Sequence, residues 1–165
     1  MPSERFVDAL NAQVAKEFAA AHQYTAIAAY YADETWPQLA GFFYKQADEE
    51  REHALKMINY LLDTDSPVNM TGVDQPKTKF EDHIAPIRLA LEQERSVTVS
   101  ISELVGIARE TNDFRSEQFL HWFLEEQTEE ESSMSDLLTV AERTASVPLL
   151  LEEWLARETP GEHKD

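Results

Sequence analysis

Six polar residues in this 165-residue chain have the types and the spacing of a buried metal site. They are Glu17, Glu50, His53, Glu94, Gln127 and Glu130. Each lies on a stripe of mostly apolar residues that repeats at alternating steps of three and four, as helix positions facing a bundle axis do. In each stripe the polar interruption is near the middle, with apolar residues on both sides. Four such helices folded together would bring the six residues to one level of the core.

The negative charge at this level has to be neutralised, because burying an unpaired carboxylate is costly. Protonation could achieve this by raising the pKa values of the carboxyl groups. No Lys or Arg lies on the four stripes, so two divalent cations are the other candidate. Glu50 and His53 are three residues apart and share one helix face. A carboxylate beside an imidazole suits iron, manganese or zinc better than magnesium or calcium.

Each position taken alone also has an interpretation without function. A single glutamate on a seam can reflect a wrongly assigned helix face, and a single seam histidine is more often a hydrogen-bonded core residue. Interruption of four helices at the same depth, with one Glu-x-x-His pair, is harder to explain in this way. It matches the arrangement known from di-iron carboxylate bundles.

Helices must position these residues, and the sequence favours helices throughout. It has four glycines and seven prolines, with no proline between residues 87 and 147. We predict long helices over residues 3–33, 35–63, 82–110 and 114–143, and a short fifth helix over 147–158. Thr35 and Gln38 have the spacing of a capping box at the start of the second helix. Pro160 and the charged tail after it should end the fold.

Four helices of similar length favour an all-α four-helix bundle, with the whole chain, residues 1–165, as a single domain. Short links make the first and second helices antiparallel, and likewise the third and fourth. Residues 65–79 contain most of the breakers and are long enough to cross the length of the bundle, which makes the second and third helices parallel.

The composition excludes several classes of partner. The formal net charge of −18 argues against nucleic acid and against a basic membrane anchor. The chain is 42% hydrophobic, too apolar for a disordered acidic tail. It has no cysteine, and it has neither a signal-peptide pattern nor a bilayer-spanning run. We therefore expect a cytoplasmic protein.

The chain resembles the non-haem bacterial ferritins from Phe6 to Glu158. The residues that carry the likeness are Glu17 with Tyr24, the run DEEREH at 48–53, Gln93-Glu94, and the run WFLEEQTEE at 122–130. The resemblance implies a ferroxidase centre with two irons per subunit: one held by Glu17, Glu50 and His53, and a second held by Glu94 and Glu130, with Glu50 bridging and Gln127 close by.

The same resemblance implies a third iron position on the inner surface. Glu49, Glu126 and Glu129 match it, with Glu130 shared. It also implies a homo-oligomeric hollow shell of 24 subunits, with ferrous iron and dioxygen as substrates and a ferric mineral as product. Tyr24 would hydrogen-bond a ligand or supply an electron, or else be a core tyrosine. For Trp122, core packing is the better interpretation.

Two departures separate the sequence from related families. A bacterioferritin would have a second Glu-x-x-His pair on the fourth helix and a haem-ligating methionine after the second helix's glutamate. Here Gln127 and Glu130 form the fourth-helix pair and Arg51 follows Glu50, so we expect no haem. A mini-ferritin would lack the fifth helix and build its site between subunits. This chain instead has a predicted fifth helix and all of its predicted ligands in one bundle.

Two other functions fit the same bundle. A non-catalytic iron-nucleating shell protein would have lost its seam ligands, and this chain retains them. A di-iron oxygenase or radical generator would normally have a second histidine ligand, and only His53 belongs to the set. We rank iron oxidation and storage ahead of both.

Overall fold

The computed structural model describes residues 1–158 and contains five α-helices. They are α1 (Glu4–Asp33), α2 (Pro37–Asp63), α3 (Ala85–Glu110), α4 (Phe114–Arg143) and α5 (Leu149–Arg157). The described part of the chain has no β-strand. These observations confirm the predicted all-α bundle with a long crossover and a short fifth helix. The predicted end at Pro160 lies outside the described residues.

The first two long helices form one antiparallel pair and the next two form the other. α1 packs most extensively against α2, and α3 against α4. A left-handed residue follows each of α1, α2 and α3: Thr35, Asp65 and Asn112, with φ of 63°, 54° and 54°. After each, the next backbone N–H donates to a carbonyl five residues back, as in a Schellman motif.

The predicted capping box at the start of α2 is wrong. Thr35 belongs to the left-handed turn, and Trp36 precedes the helix without a side-chain cap. The carboxylate of Glu152 in α5 accepts hydrogen bonds from the backbone N–H groups of Gln38 and Leu39, each at 3.2 Å. The short fifth helix thus supplies the cap that the local sequence does not.

The start of α3 also differs from the predicted position. The helix begins at Ala85 rather than near residue 82. Asp82 lies before it, and its Oδ1 accepts from the backbone N–H groups of Ile84 and Ala85 at 2.9 and 2.8 Å. These bonds lower the pKa of Asp82. The residue therefore serves as a cap of α3 rather than as a helical residue.

Two amide side chains on α1 hold the crossover between α2 and α3. Asn11 donates to the carbonyl of Pro67 at 2.9 Å and accepts from the N–H of Asn69 at 2.7 Å. Gln23 donates to the carbonyl of Lys77 at 2.8 Å and accepts from its N–H at 2.9 Å. Asn11 and Gln23 are about 18 Å apart along the helix. The crossover therefore runs along α1, as a parallel α2 and α3 require.

Two apolar clusters fill the bundle, and a polar level separates them on all four long helices. One cluster uses residues 24–31 of α1 and 39–47 of α2, together with parts of α3, α4 and α5. The other uses residues 6–14 of α1 and 54–61 of α2, together with parts of α3 and α4. The buried acids of the four long helices fall between the two clusters. The polar residues that interrupt the four apolar stripes therefore lie at one depth in the bundle.

Candidate metal centre

Glu17, Glu50 and His53 form a buried group that could hold a metal ion. Their exposed fractions are 1%, 1% and 4%. One ligand atom of each lies within 4.8 Å of the others, and within residues 1–158 no other His, Asp or Glu trio does so. The Nδ1 atom of His53 is 3.4 Å from Glu50 Oε2 and 4.0 Å from Glu17 Oε2. α1 and α2 supply these three side chains.

The ligand atoms of this group have no hydrogen-bond partner. They are Glu17 Oε2, both carboxylate oxygens of Glu50, and His53 Nδ1. Buried polar atoms are nearly always partnered, so four that converge on one place call for an explanation. Burial and the neighbouring charge of Glu17 raise the pKa of Glu50 well above its usual range. A bound cation would satisfy all four atoms, and it would displace the proton that burial favours.

Glu94 of α3 is buried beside this group, and both of its carboxylate oxygens are hydrogen-bonded. The hydroxyl of Tyr24 donates to Oε1, and the Nε2 atom of Gln127 donates to Oε2 at 3.0 Å. Burial raises the pKa of Glu94, and these two hydrogen bonds oppose the rise. Donors from α1 and α4 therefore fix the orientation of this carboxylate before any metal binds.

Glu130 of α4 also lies among other carboxylates, and its pKa is raised. Burial, followed by the charges of Glu94 and Glu49, raises its pKa to about 9. The carboxyl group therefore holds a proton at neutral pH when no metal is bound. Protonation and metal binding, the two ways of neutralisation that the sequence left open, would thus be alternative states of one site.

The three residues predicted to form a further iron position are half-buried. They are Glu49, Glu126 and Glu129. The charges of Glu49 and Glu126 help to raise the pKa of Glu130, and Glu126 Oε2 is 4.0 Å from His53 Nε2. Their ligand atoms do not converge as those of the Glu17 trio do, so this position stays a prediction.

A cleft of about 350 Å³ between α2 and α4 reaches His53. Its lining consists of Glu49, Glu52, His53, Lys56, Trp122 and Glu126. The Lys56 ammonium lies 3.4 Å from the centre of the Trp122 ring, and that ring meets the His53 imidazole edge-on at 5.5 Å. Trp122 is partly buried and packs against the apolar cluster that contains Phe123, which agrees with the core-packing interpretation.

Sequence reasoning missed two residues that contact the site or its neighbours. Gln13 is buried, and its Nε2 atom donates to Glu17 Oε1 at 2.9 Å. The sequence did carry a signal for this contact, because Gln13 lies one helical turn before the predicted ligand Glu17. Glu131 belongs to no predicted site, yet its Oε2 atom accepts a hydrogen bond from Thr98 at 2.9 Å. The sequence offered no signal for that contact.

Comparison with known proteins decides the family. The family model of the ferritin-like domain matches residues 7–144. This chain belongs to the ferritin family. Ferritin BfrB of Mycobacterium tuberculosis is 44% identical over 157 residues, which cover 95% of this chain and 87% of that protein. A bacterial non-heme ferritin of Staphylococcus aureus is 41% identical over 132 residues, 80% of each protein.

Solved ferritin structures share the fold. The open-pore ferritin of the hyperthermophilic archaeon Archaeoglobus fulgidus superimposes with a TM-score of 0.91 at 29% identity, covering 95% of this chain and 98% of that one. Family and fold together support iron storage, iron as the bound metal and a homo-oligomeric assembly. None of the helices described here combines the length and the apolar character needed to cross a membrane.

Proposed function

We propose that this ferritin oxidises ferrous iron with dioxygen at a two-metal centre and stores the ferric product as a hydrated oxide mineral within a shell of 24 subunits in the cytoplasm. The observation that carries the proposal is the convergence of unpartnered buried ligand atoms from Glu17, Glu50 and His53. Storage without oxidation would not require this buried group.

Glu17, Glu50 and His53 hold the first ferrous ion, and Glu94 and Glu130 hold the second, with Glu50 between the two. Each ferrous ion gives one electron, and dioxygen accepts both electrons and two protons to become hydrogen peroxide. Anionic oxygen ligands favour the ferric state. Gln127 lies beside the second ion through its hydrogen bond to Glu94.

Several side chains have roles apart from direct ligation. Tyr24 and Gln127 hold the two oxygens of Glu94 in place, so the carboxylate does not have to reorganise when a metal arrives. The protons held by Glu50 and Glu130 leave as the cations bind, because the cations replace them as the neutralising charge.

The ferric products then move toward the inner surface of the shell. Glu49, Glu126 and Glu129, with Glu130 shared, would bind a third iron on that path. The cleft beside His53 supports this direction of movement, since Glu49 and Glu126 line it. No step in the proposal uses haem.

The proposed activity can be tested by anaerobic loading of the iron-free protein with ferrous ions, followed by a pulse of oxygen. We expect ferric absorbance to develop rapidly in the parent protein, and iron to accumulate far beyond the capacity of the ferroxidase centre. Glu50→Ala and His53→Ala should slow oxidation by about tenfold or more, because each removes a ligand of the first ion.

The matched control is His22→Ala, which removes an exposed histidine of α1. It should oxidise iron at the parent rate. Parent-like oxidation by Glu50→Ala or His53→Ala would contradict the site assignment. Oxidation that stops at about two irons per chain, without mineral, would contradict storage.

A further inference from the structure

The carboxamide of Gln127 lies in a hydrogen-bond network that extends beyond the metal ligands. Its Nε2 atom is 3.0 Å from Glu94 Oε2, 3.1 Å from the backbone carbonyl of Glu94 and 3.4 Å from Thr98 Oγ1. All three are acceptors toward an amide N–H. The opposite orientation of the carboxamide would place Oε1 against the same three oxygens, so the surroundings enforce one orientation.

The Thr98 hydroxyl has two possible acceptors but only one proton. It lies 3.1 Å from the carbonyl of Glu94, its own residue i−4, and 2.9 Å from Oε2 of Glu131. A carboxylate is the stronger acceptor and gives the shorter contact, so the proton goes to Glu131. The lone pairs of the Thr98 hydroxyl can then accept from the Gln127 side-chain amide. The backbone carbonyl of Glu94 also remains free to accept from that amide.

Glu131 is positioned to hold this arrangement from the edge of the bundle. Its side chain is 31% exposed, and its Oε1 atom lies 3.8 Å from Nε of Arg95. The two carboxylate oxygens therefore face different partners, the exposed Arg95 and the half-buried Thr98. If Glu131 were absent, Thr98 would donate to the Glu94 carbonyl, as threonines in helices commonly do, and would compete with Gln127.

We propose that Thr98 and Glu131 are positioning residues for the second metal ion, because together they fix the Gln127 carboxamide that holds Glu94. The inference rests on the proposed two-metal function. Thr98 and Glu131 do not contact the metal in this proposal. They act through Gln127, so their removal should weaken the second metal position and leave the first one intact.

The test uses the assembled, metal-free shell titrated with Zn²⁺ in a calorimeter, since zinc binds without redox chemistry. We expect the parent protein to bind two zinc ions per chain at this centre in separable steps. Thr98→Val keeps the shape and removes the hydroxyl. It should weaken the second step by about tenfold and leave the first unchanged. Thr98→Ser restores the hydroxyl and should recover the parent affinity.

Substitutions at Glu131 test the other half of the network. Glu131→Leu removes the acceptor and should resemble Thr98→Val, whereas Glu131→Gln keeps an oxygen acceptor and should stay near the parent. Thr139→Val is the matched control, because Thr139 also donates to a carbonyl four residues back, that of Ser135, and lies on an exposed face of α4. It should change neither step.

Three outcomes would overturn the inference. The first is a parent-like second step in both Thr98→Val and Glu131→Leu. The second is a Thr98→Ser protein as weak as Thr98→Val, because that would assign the effect to packing. The third is equal weakening of both steps. If Thr98→Val does not assemble, the two Glu131 variants provide the test. A weakened second zinc step in Glu131→Leu but not in Glu131→Gln supports the inference, and a parent-like second step in Glu131→Leu contradicts it. A parent protein that binds fewer than two zinc ions contradicts the two-metal function itself, whatever the variants do.

Discussion

At the residue scale, the centre is organised around groups that neutralise or orient buried carboxylates. Tyr24 is fully buried, and its hydroxyl donates to Glu94. Burial, followed by the charge of Glu94, raises the pKa of Tyr24 well above its usual range, so the phenol stays protonated and remains a donor. The geometry favours the hydrogen-bonding role over that of a tyrosine that only fills the core.

Tyr24→Phe tests this role, since it removes the hydroxyl and keeps the ring. We expect iron oxidation to slow several-fold, because Glu94 loses one of its two fixed donors, and a hydrogen bond to a charged group contributes about 1.5–3 kcal/mol. Stopped-flow absorbance of ferric iron measures the rate. Tyr44→Phe, at an exposed tyrosine of α2, is the control. Equal rates in all three proteins would mean that the hydroxyl does not matter for oxidation.

At the element scale, the fifth helix completes the second one. Glu152 is buried, and it accepts the two backbone N–H groups at the start of α2 that the turn sequence leaves without a cap. The favourable interaction of a carboxylate with a helix N-terminus adds to these bonds. α5 is thus joined to the bundle by a polar contact as well as by the burial of Leu151 and Leu155.

Glu152→Ala should lower the free energy of unfolding by about 1–2 kcal/mol, the usual effect of losing a helix cap. Urea denaturation of the assembled protein, followed by far-ultraviolet circular dichroism, measures the change. Glu153→Ala removes an exposed acid from the same helix and should change stability little. If the two variants lose the same stability, the loss does not come from the cap.

At the scale of the whole molecule, buried acid makes the metal-free protein sensitive to pH. Burial raises the pKa of Glu130 from an ordinary value of 4.5 to about 9, and it raises those of Glu50 and Glu94 as well. The folded state therefore binds more protons than the unfolded state between about pH 4.5 and about pH 9. Stability from these groups is present at the acidic end of that range and is lost as the pH rises.

We expect the melting temperature of the metal-free shell to fall between about pH 5 and about pH 9, and the Glu130→Gln protein to show a shallower fall. Differential scanning calorimetry across this range measures both slopes. Bound Zn²⁺ should flatten the slope of the parent, because the metal takes the place of the protons. If the two proteins have the same slope, the Glu130 carboxyl does not hold a proton in the fold.

The sequence determined the features that depend on spacing along one helix. The steps of three and four placed Glu17, Glu50, His53, Glu94 and Glu130 at one level, because the helical period fixes which side chains share a face. The same rule predicted the long helices closely. Their starts were less certain: the α2 start depends on Glu152, which is more than a hundred residues away.

Only the tertiary structure decided which atoms meet. Tyr24 reaches Glu94 across seventy residues, and the Thr98 hydroxyl contacts Glu131 of α4 as well as the Glu94 carbonyl of its own helix. These contacts depend on how each helix is rotated about its axis and on which rotamer its neighbours allow, and the stripe pattern sets neither. The sequence therefore determined the level of the candidate metal centre, and the packing of four helices decided how its carboxylates are held.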